Sequence, residues 1–458
     1  MKMRILAILL LVALEAPAQN IAPPLFKNGD IVCFVGNSIT NNGEFYNFIY
    51  LYYATRYPNE KLRFINCGIS GDVASGILKR LDSDVLIHHP TWCVLMVGMN
   101  DVKRTLYTEK NRNNPSGDQQ KAEALAVYRE KTEDIIKIFK QYNQGIILEK
   151  PTIYDQTAKL PEENFYGVND ALKMAGNHVE AMSKKYDTRL VDYWSIMNRI
   201  NNELQEKDLN FTITGKDRVH PGSLGHFVMA YQFLKTLQPN KYVAKIVIGK
   251  NSGDNKGQSL NCKISNYDAD QGKISFSCLE NSLPFPIKPD AAEALKWVPF
   301  TDDLNQEVLQ ILNLDTGAYQ LLIDGRPIAI YTAAQLRTGV NLAIQTNTPQ
   351  YQQAEQILQL CMEYRKQEST IRNIKLVEFG RLADYKGPKD SLSVKNYLDQ
   401  YLDSAKASGH LNFYKTQFDN YLRNKPNEAV ITRKLNDIAD KIYAINKPIY
   451  HQFKLVKK

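Results

Sequence analysis

Cysteine is scarce, with six in 458 residues, far too few to staple a chain of this length as a disulfide scaffold. Long apolar runs are scarcer. The stretch Ile5–Leu14 covers only about half of a ~30 Å hydrocarbon core, and no run of about 18 apolar residues follows it. Basic residues nowhere gather into a run of five, whereas recognition of a phosphate backbone needs a concentrated basic face, so nucleic acid is a poor partner. Cys/His spacing of a zinc site is absent; His88-His89 is the nearest thing to one, and neither a metal nor a cofactor is expected. Fixed-period repeats and low-complexity tracts are missing as well.

What remains is ordinary globular material. Apolar residues make up 43%, aromatic 10% and charged 23%, enough to bury a core. Lys+Arg 57 against Asp+Glu 49 gives a formal +8, a mild preference for acidic surfaces or substrates. At roughly 150 residues per domain the length implies about three units.

Lys2 and Arg4, the apolar Ile5–Leu14 and the small residues of Ala16-Pro17-Ala18 make a secretory signal, with cleavage expected near Ala18. A secreted or periplasmic protein follows, with no membrane insertion after cleavage. Export permits disulfides, but Cys33, Cys67 and Cys93 each sit in an apolar run and are expected as buried thiols. Cys262 and Cys278 flank the turn-like segment Asp268–Gly272 and could face one another across a hairpin, which leaves a bridge between them open.

After the 1–18 leader, residues 19–239 alternate short β-branched runs with longer segments of helical spacing. Strands are expected at Ile31–Val35, Leu62–Asn66, Cys93–Val97, Gly145–Leu148 and Arg189–Val191, and helices at Glu44–Arg56, Ala74–Leu81, Gln120–Tyr142, Asn169–Tyr186 and Leu224–Leu237. Strands without period-2 alternation, separated by helices, imply a parallel sheet buried on both faces, an α/β/α architecture. Residues 240–348 read as a small β-sandwich-like module, with Asp324-Gly325 as a hairpin turn. Residues 349–458 read as helical, closed by a strand at Ile449–Val456.

Three polar segments directly follow expected strands: Gly36-Asn37-Ser38-Ile39-Thr40, Gly68-Ile69-Ser70-Gly71-Asp72 and Gly98-Met99-Asn100-Asp101. A fourth, Asp217-Arg218-Val219-His220-Pro221, precedes the last helix of the alternating region. Ligands of parallel sheets bind at the carboxyl ends of strands, where these loops meet. Ser38, between a strand and a helix, is the candidate nucleophile. A serine hydroxyl needs a base, and His220 is the candidate, oriented by Asp217 three residues earlier; His226 has no such acid and is passed over. The N–H groups of Ser38 and Gly71 and the side-chain amide of Asn100 are candidate oxyanion donors. Taken singly, each segment is more often a helix cap or a tight turn.

Together the four blocks resemble those of the SGNH hydrolases, the GDSL esterase/lipase family, over about residues 29–239. The resemblance implies a flavodoxin-like three-layer α/β/α fold, Ser38 as nucleophile, Gly71 and Asn100 as oxyanion donors, and His220 with Asp217 as base and orienter. Asn37 stands where the family often has Asp, and Met99 where Thr is frequent. Exported relatives with added modules are often carbohydrate esterases, so the expected substrate is an acetylated oligo- or polysaccharide. Asn37, together with Tyr154 and Asp155 in the long connection Lys150–Tyr166, is a candidate for substrate contact. Two rival functions are a glycosidase using paired carboxylates such as Asp72, Asp101 or Asp155, and a carbohydrate-binding protein without catalysis.

Overall fold

The computed structural model describes residues 23–458 apart from 112–113, 143, 250–252, 255–257, 271 and 407–410. The leader expected at 1–18 therefore lies outside the described residues. Five strands form the first sheet: β1 (Ile31–Gly36), β2 (Arg63–Gly68), β3 (Trp92–Met96), β4 (Gly145–Lys150) and β5 (Arg189–Asp192). Their order is β2-β1-β3-β4-β5 and every pairing is parallel. The helices of this region are α1 (Ser38–Asn42), α2 (Glu44–Arg56), α3 (Ala74–Arg80), α4 (Pro115–Gln141), α5 (Val168–Tyr186), α6 (Tyr193–Gln205) and α7 (Ser223–Thr236).

Alternate residues of each strand point to opposite faces, and both faces are buried. Val32, Phe34, Val94 and Met96 belong to a core with α2 and α7, whereas Cys33, Val35, Cys93 and Leu95 belong to another with α3, α4 and α5. This is why the strands lack polar alternation. From β1 the chain steps outward to β2, then crosses back to β3 on the other side of β1. The loops leaving β1 and β3 diverge, opening a crevice at the sheet's carboxyl edge.

A second region contains β6 (Tyr242–Gly249), β7 (Gly253–Asp254), β8 (Cys262–Asp270), β9 (Lys273–Glu280), β10 (Gln306–Leu312), β11 (Ala318–Ile323), β12 (Arg326–Thr332) and β13 (Val340–Asn341), with short helices α8 (Phe300–Leu304) and α9 (Ala333–Thr338). Together with β14 (Tyr450–Lys457) they form two sheets, β13-β10-β6-β7 and β12-β11-β14-β9-β8. Strand β14 inserts between β11 and β9, antiparallel to both, and stacks Phe453 on Phe276 with centroids 5.1 Å apart. Asp324 and Gly325 both have positive φ, 50° and 77°, as a type I′ hairpin turn requires. Cys262 lies opposite Glu280 and Cys278 opposite Ile264, and the two thiols are not bridged.

Between β13 and β14 run α10 (Pro349–Phe379), α11 (Ser391–Ser404), α12 (Leu411–Asn424) and α13 (Glu428–Ile445). Helix α10 packs on α2, whose 13 residues are all buried. A helix covered on every side has no polar face to offer water, and α2 is correspondingly rich in Tyr and Phe; Tyr50 meets Tyr364 of α10 edge-on at 5.6 Å. Among the described residues no helix is long and apolar enough to cross a membrane.

Candidate active site

Ser38 is the first residue of α1, immediately beyond β1. The side chain of Asn37 caps that helix, its Oδ1 accepting from the N–H of Ile39 at 3.1 Å. The Ser38 hydroxyl lies 2.7 Å from Nε2 of His220, and Nδ1 of His220 is hydrogen-bonded to Oδ2 of Asp217. The other carboxylate oxygen of Asp217 accepts from the N–H groups of Val219, 3.1 Å, and His220, 3.0 Å. Partial burial opposes its ionisation, but the His220 ring and the two N–H groups outweigh that and bring its pKa down to about 2. The three side chains expected to act together are thus bonded in series.

The loops after β2 and β3 carry the candidate donors. Gly71 has φ +83°, a left-handed conformation that side chains resist, and the space beside its Cα is open, since a Cβ there would meet nothing within 4 Å. One N–H of the Asn100 amide is fixed on the carbonyl of Asp72 at 3.0 Å, leaving its second N–H for a ligand. Gly68 is held for a different reason: a Cβ on it would lie 2.3 Å from the backbone N of Asn41, so the end of β2 can press on the nucleophile's helix only because no side chain intervenes.

The loop carrying His220 is anchored by a residue that sequence reasoning passed over. Arg218 has φ 64° and is buried, and its guanidinium donates to the carbonyls of Asp155, Ala158, Leu160 and Glu162 at 3.0–3.1 Å. Its position between Asp217 and His220 was the available signal. The turn is closed by the Gly215 N–H on the His220 carbonyl at 2.6 Å.

The expected substrate contacts are corrected by this arrangement. Asn37 is buried and its Oδ1 is taken up by the helix cap. Tyr154 is buried, its hydroxyl accepting from the N–H of Phe165 at 3.0 Å. Asp155 is buried, and its carboxylate accepts from Thr157, Ala158 and Gln205. These polar groups are satisfied inside the fold and not presented to a cleft. The glycosidase rival loses its acids in the same way. Asp72 is paired with Arg80 at 2.8 Å, and Asp101 is buried against the N–H groups of Ala74 and Gly98, burial raising its pKa to about 6. His226 is a core histidine stacked 6.2 Å from Phe45 and lowered to about 3 by burial. No group of three or more His, Cys, Asp or Glu that could hold a metal occurs among the described residues.

Helix α10 reaches this centre with three residues of one face, at spacings of three and four. Arg365 donates to the carbonyl of Asn42, the last residue of α1, at 2.9 Å. Glu368 accepts the N–H of Asn66 in β2 at 2.8 Å. Arg372 donates to the carbonyl of Gly68 at 3.1 Å and pairs with Asp84 at 2.7 Å, in a buried network with Arg80 and Asp72. The helical region is therefore bonded to the framework beneath both the serine and the oxyanion loop.

A hydroxyl touching an imidazole, a carboxylate behind the ring and open amide donors alongside, at the switch point of a parallel sheet, define an ester hydrolase of α/β/α class. A model of the GDSL-like lipase/acylhydrolase family matches residues 34–227. A solved structure described as a gut microbial diltiazem-metabolizing enzyme is 33% identical, covers 95% of this chain and 99% of its own, and superposes with a TM-score of 0.84. An acetylxylan esterase of Geobacillus stearothermophilus is 24% identical over 225 residues, 46% of this chain and 94% of its own. A crystal structure of that esterase is 23% identical over 46% of this chain and 95% of its own, with a TM-score of 0.37. The chain belongs to the GDSL-like lipase/acylhydrolase family, the SGNH hydrolases.

Proposed function

We propose that the protein is an exported serine esterase that removes O-acetyl groups from carbohydrates through an acyl-enzyme. The single observation that carries the mechanism is the 2.7 Å contact between the Ser38 hydroxyl and the His220 ring, with Asp217 behind it. His220 takes the hydroxyl proton as Ser38 attacks the acetyl carbonyl, and the imidazolium formed is stabilised by the ionised Asp217. Negative charge on the tetrahedral oxygen falls among the N–H groups of Ser38 and Gly71 and the Asn100 amide. His220 then returns the proton to the departing sugar oxygen, and water, activated by the same ring, releases acetate.

The carbohydrate substrate is supported by the acetylxylan esterase relative, and export by the leader-like residues 1–18. A second reading is favoured by the relative matched over nearly the whole chain, a diltiazem-metabolizing enzyme: the preferred ester is a small drug-like molecule. Acetate release from a panel of acetylated glycans, and turnover of diltiazem, measured for the parent and Ser38→Ala proteins, separates the two. The glycan reading requires several-fold higher kcat/KM on at least one acetylated glycan than on diltiazem, and loss of at least ~10⁴-fold in Ser38→Ala. No acetate from any glycan refutes it.

A further inference from the structure

A cavity of about 870 Å³ lies between the sheet layer and the helical region, within the ~300–1,000 Å³ typical of ligand sites. One wall is α3 with the loop before it, including Ile69, Asp72 and Lys79; the other includes Tyr385 and Lys389 from the turn after α10 and Tyr421 of α12. Ile69 and Asp72 flank Ser70-Gly71, so the cavity adjoins the loop that carries the candidate donor Gly71. Its α3 wall continues from that loop toward the helical region.

The charges of the lining select the ligand. Arg80 and Arg372 are balanced by Asp72 and Asp84, and Lys375 and Lys425 by Glu378 and Glu428. Among the described residues Lys79 and Lys389, from opposite walls, have no acidic partner, and Asp384 is the one lining carboxylate outside those two networks. One positive charge is thus left uncompensated on the lining, beside the half-buried Tyr385.

We infer that this cavity binds the alcohol half of the ester, and that it takes a sugar chain bearing carboxylates, an acidic oligosaccharide. The inference rests on the carbohydrate-esterase reading but is tested without turnover. Titration calorimetry at low salt would compare unesterified trigalacturonate with neutral xylotriose, on the parent and on a Lys79→Gln/Lys389→Gln double variant. Both lysines are exposed, and an unchanged melting temperature and circular dichroism spectrum of the double variant would report an intact fold. The expected result is trigalacturonate binding at least tenfold tighter than xylotriose, weakening with added salt, and at least tenfold weaker in the double variant. Equal affinity for the two trimers, binding of neither, or unchanged affinity in the double variant overturns the proposal. Acid-selective binding without acetate release from any glycan would instead overturn the esterase reading and leave the cavity's selectivity standing.

Discussion

Asp217, drawn down to about 2, stays ionised throughout the range in which a neutral imidazole can act as base. Asp217→Asn keeps the shape but removes the charge that fixes the His220 tautomer, so kcat should fall by about 10³–10⁴ with KM changing little. Steady-state kinetics on 4-nitrophenyl acetate check this; a loss under tenfold would mean the carboxylate does not serve the ring. Ser38, His220 and Asp217, which the structure bonds together, could be singled out because each lies in a short polar block directly after a strand or before a helix, as do the candidate donors Gly71 and Asn100. Tyr154 and Asp155 carry the same local signature, yet in three dimensions they face inward. What distinguishes them is Arg218, whose guanidinium binds the carbonyls of their loop, and a bond between residues about 60 apart leaves no trace in spacing.

Helix α10 is where local reading fell furthest short. Its 31 residues were expected as helix, but nothing in a Gln-rich stretch says which backbone groups near the site it will meet. The complementary sign was in α2, apolar around its whole circumference and so in need of a second cover. Helices α1 and α6 were missed for smaller reasons: α1 has only five residues, and α6 begins at Tyr193 with no loop after β5, Asp192 capping it at 2.9 Å. The bracing by α10 has a pH signature. Burial holds Glu368 up to about 8, against ~4.3 in an unfolded chain. Between those values the native state keeps a proton that the unfolded chain has released. Stability therefore falls as pH rises, by up to ~1.4 kcal/mol per pH unit. Glu368→Gln lacks this slope, so its melting temperature should drop less between pH 5 and pH 8 than the parent's; equal drops would refute the assignment.

At the scale of the molecule, the α/β/α layer, the β module and the helices could be separated by their patterning, Asp324-Gly325 and the alternating 449–456 segment included. Patterning does not say where a strand inserts, and β14 enters the middle of its sheet. A chain ending at Pro448 would leave β9 and β11 with unpaired edges and should be recovered mostly as aggregate; a soluble, monodisperse product on size exclusion would contradict this. Gln452 bonds Ser277 across 175 positions, and Asn66 bonds Glu368 across 302. Because the helical stretch leaves the β module at one strand and re-enters it at another, it is tied down at both ends and has no free arm on which to swing like a lid. Any guest between it and α3 would meet walls from two regions that the Arg372–Asp84 pair pins together, so discrimination among guests would rest on fit and charge.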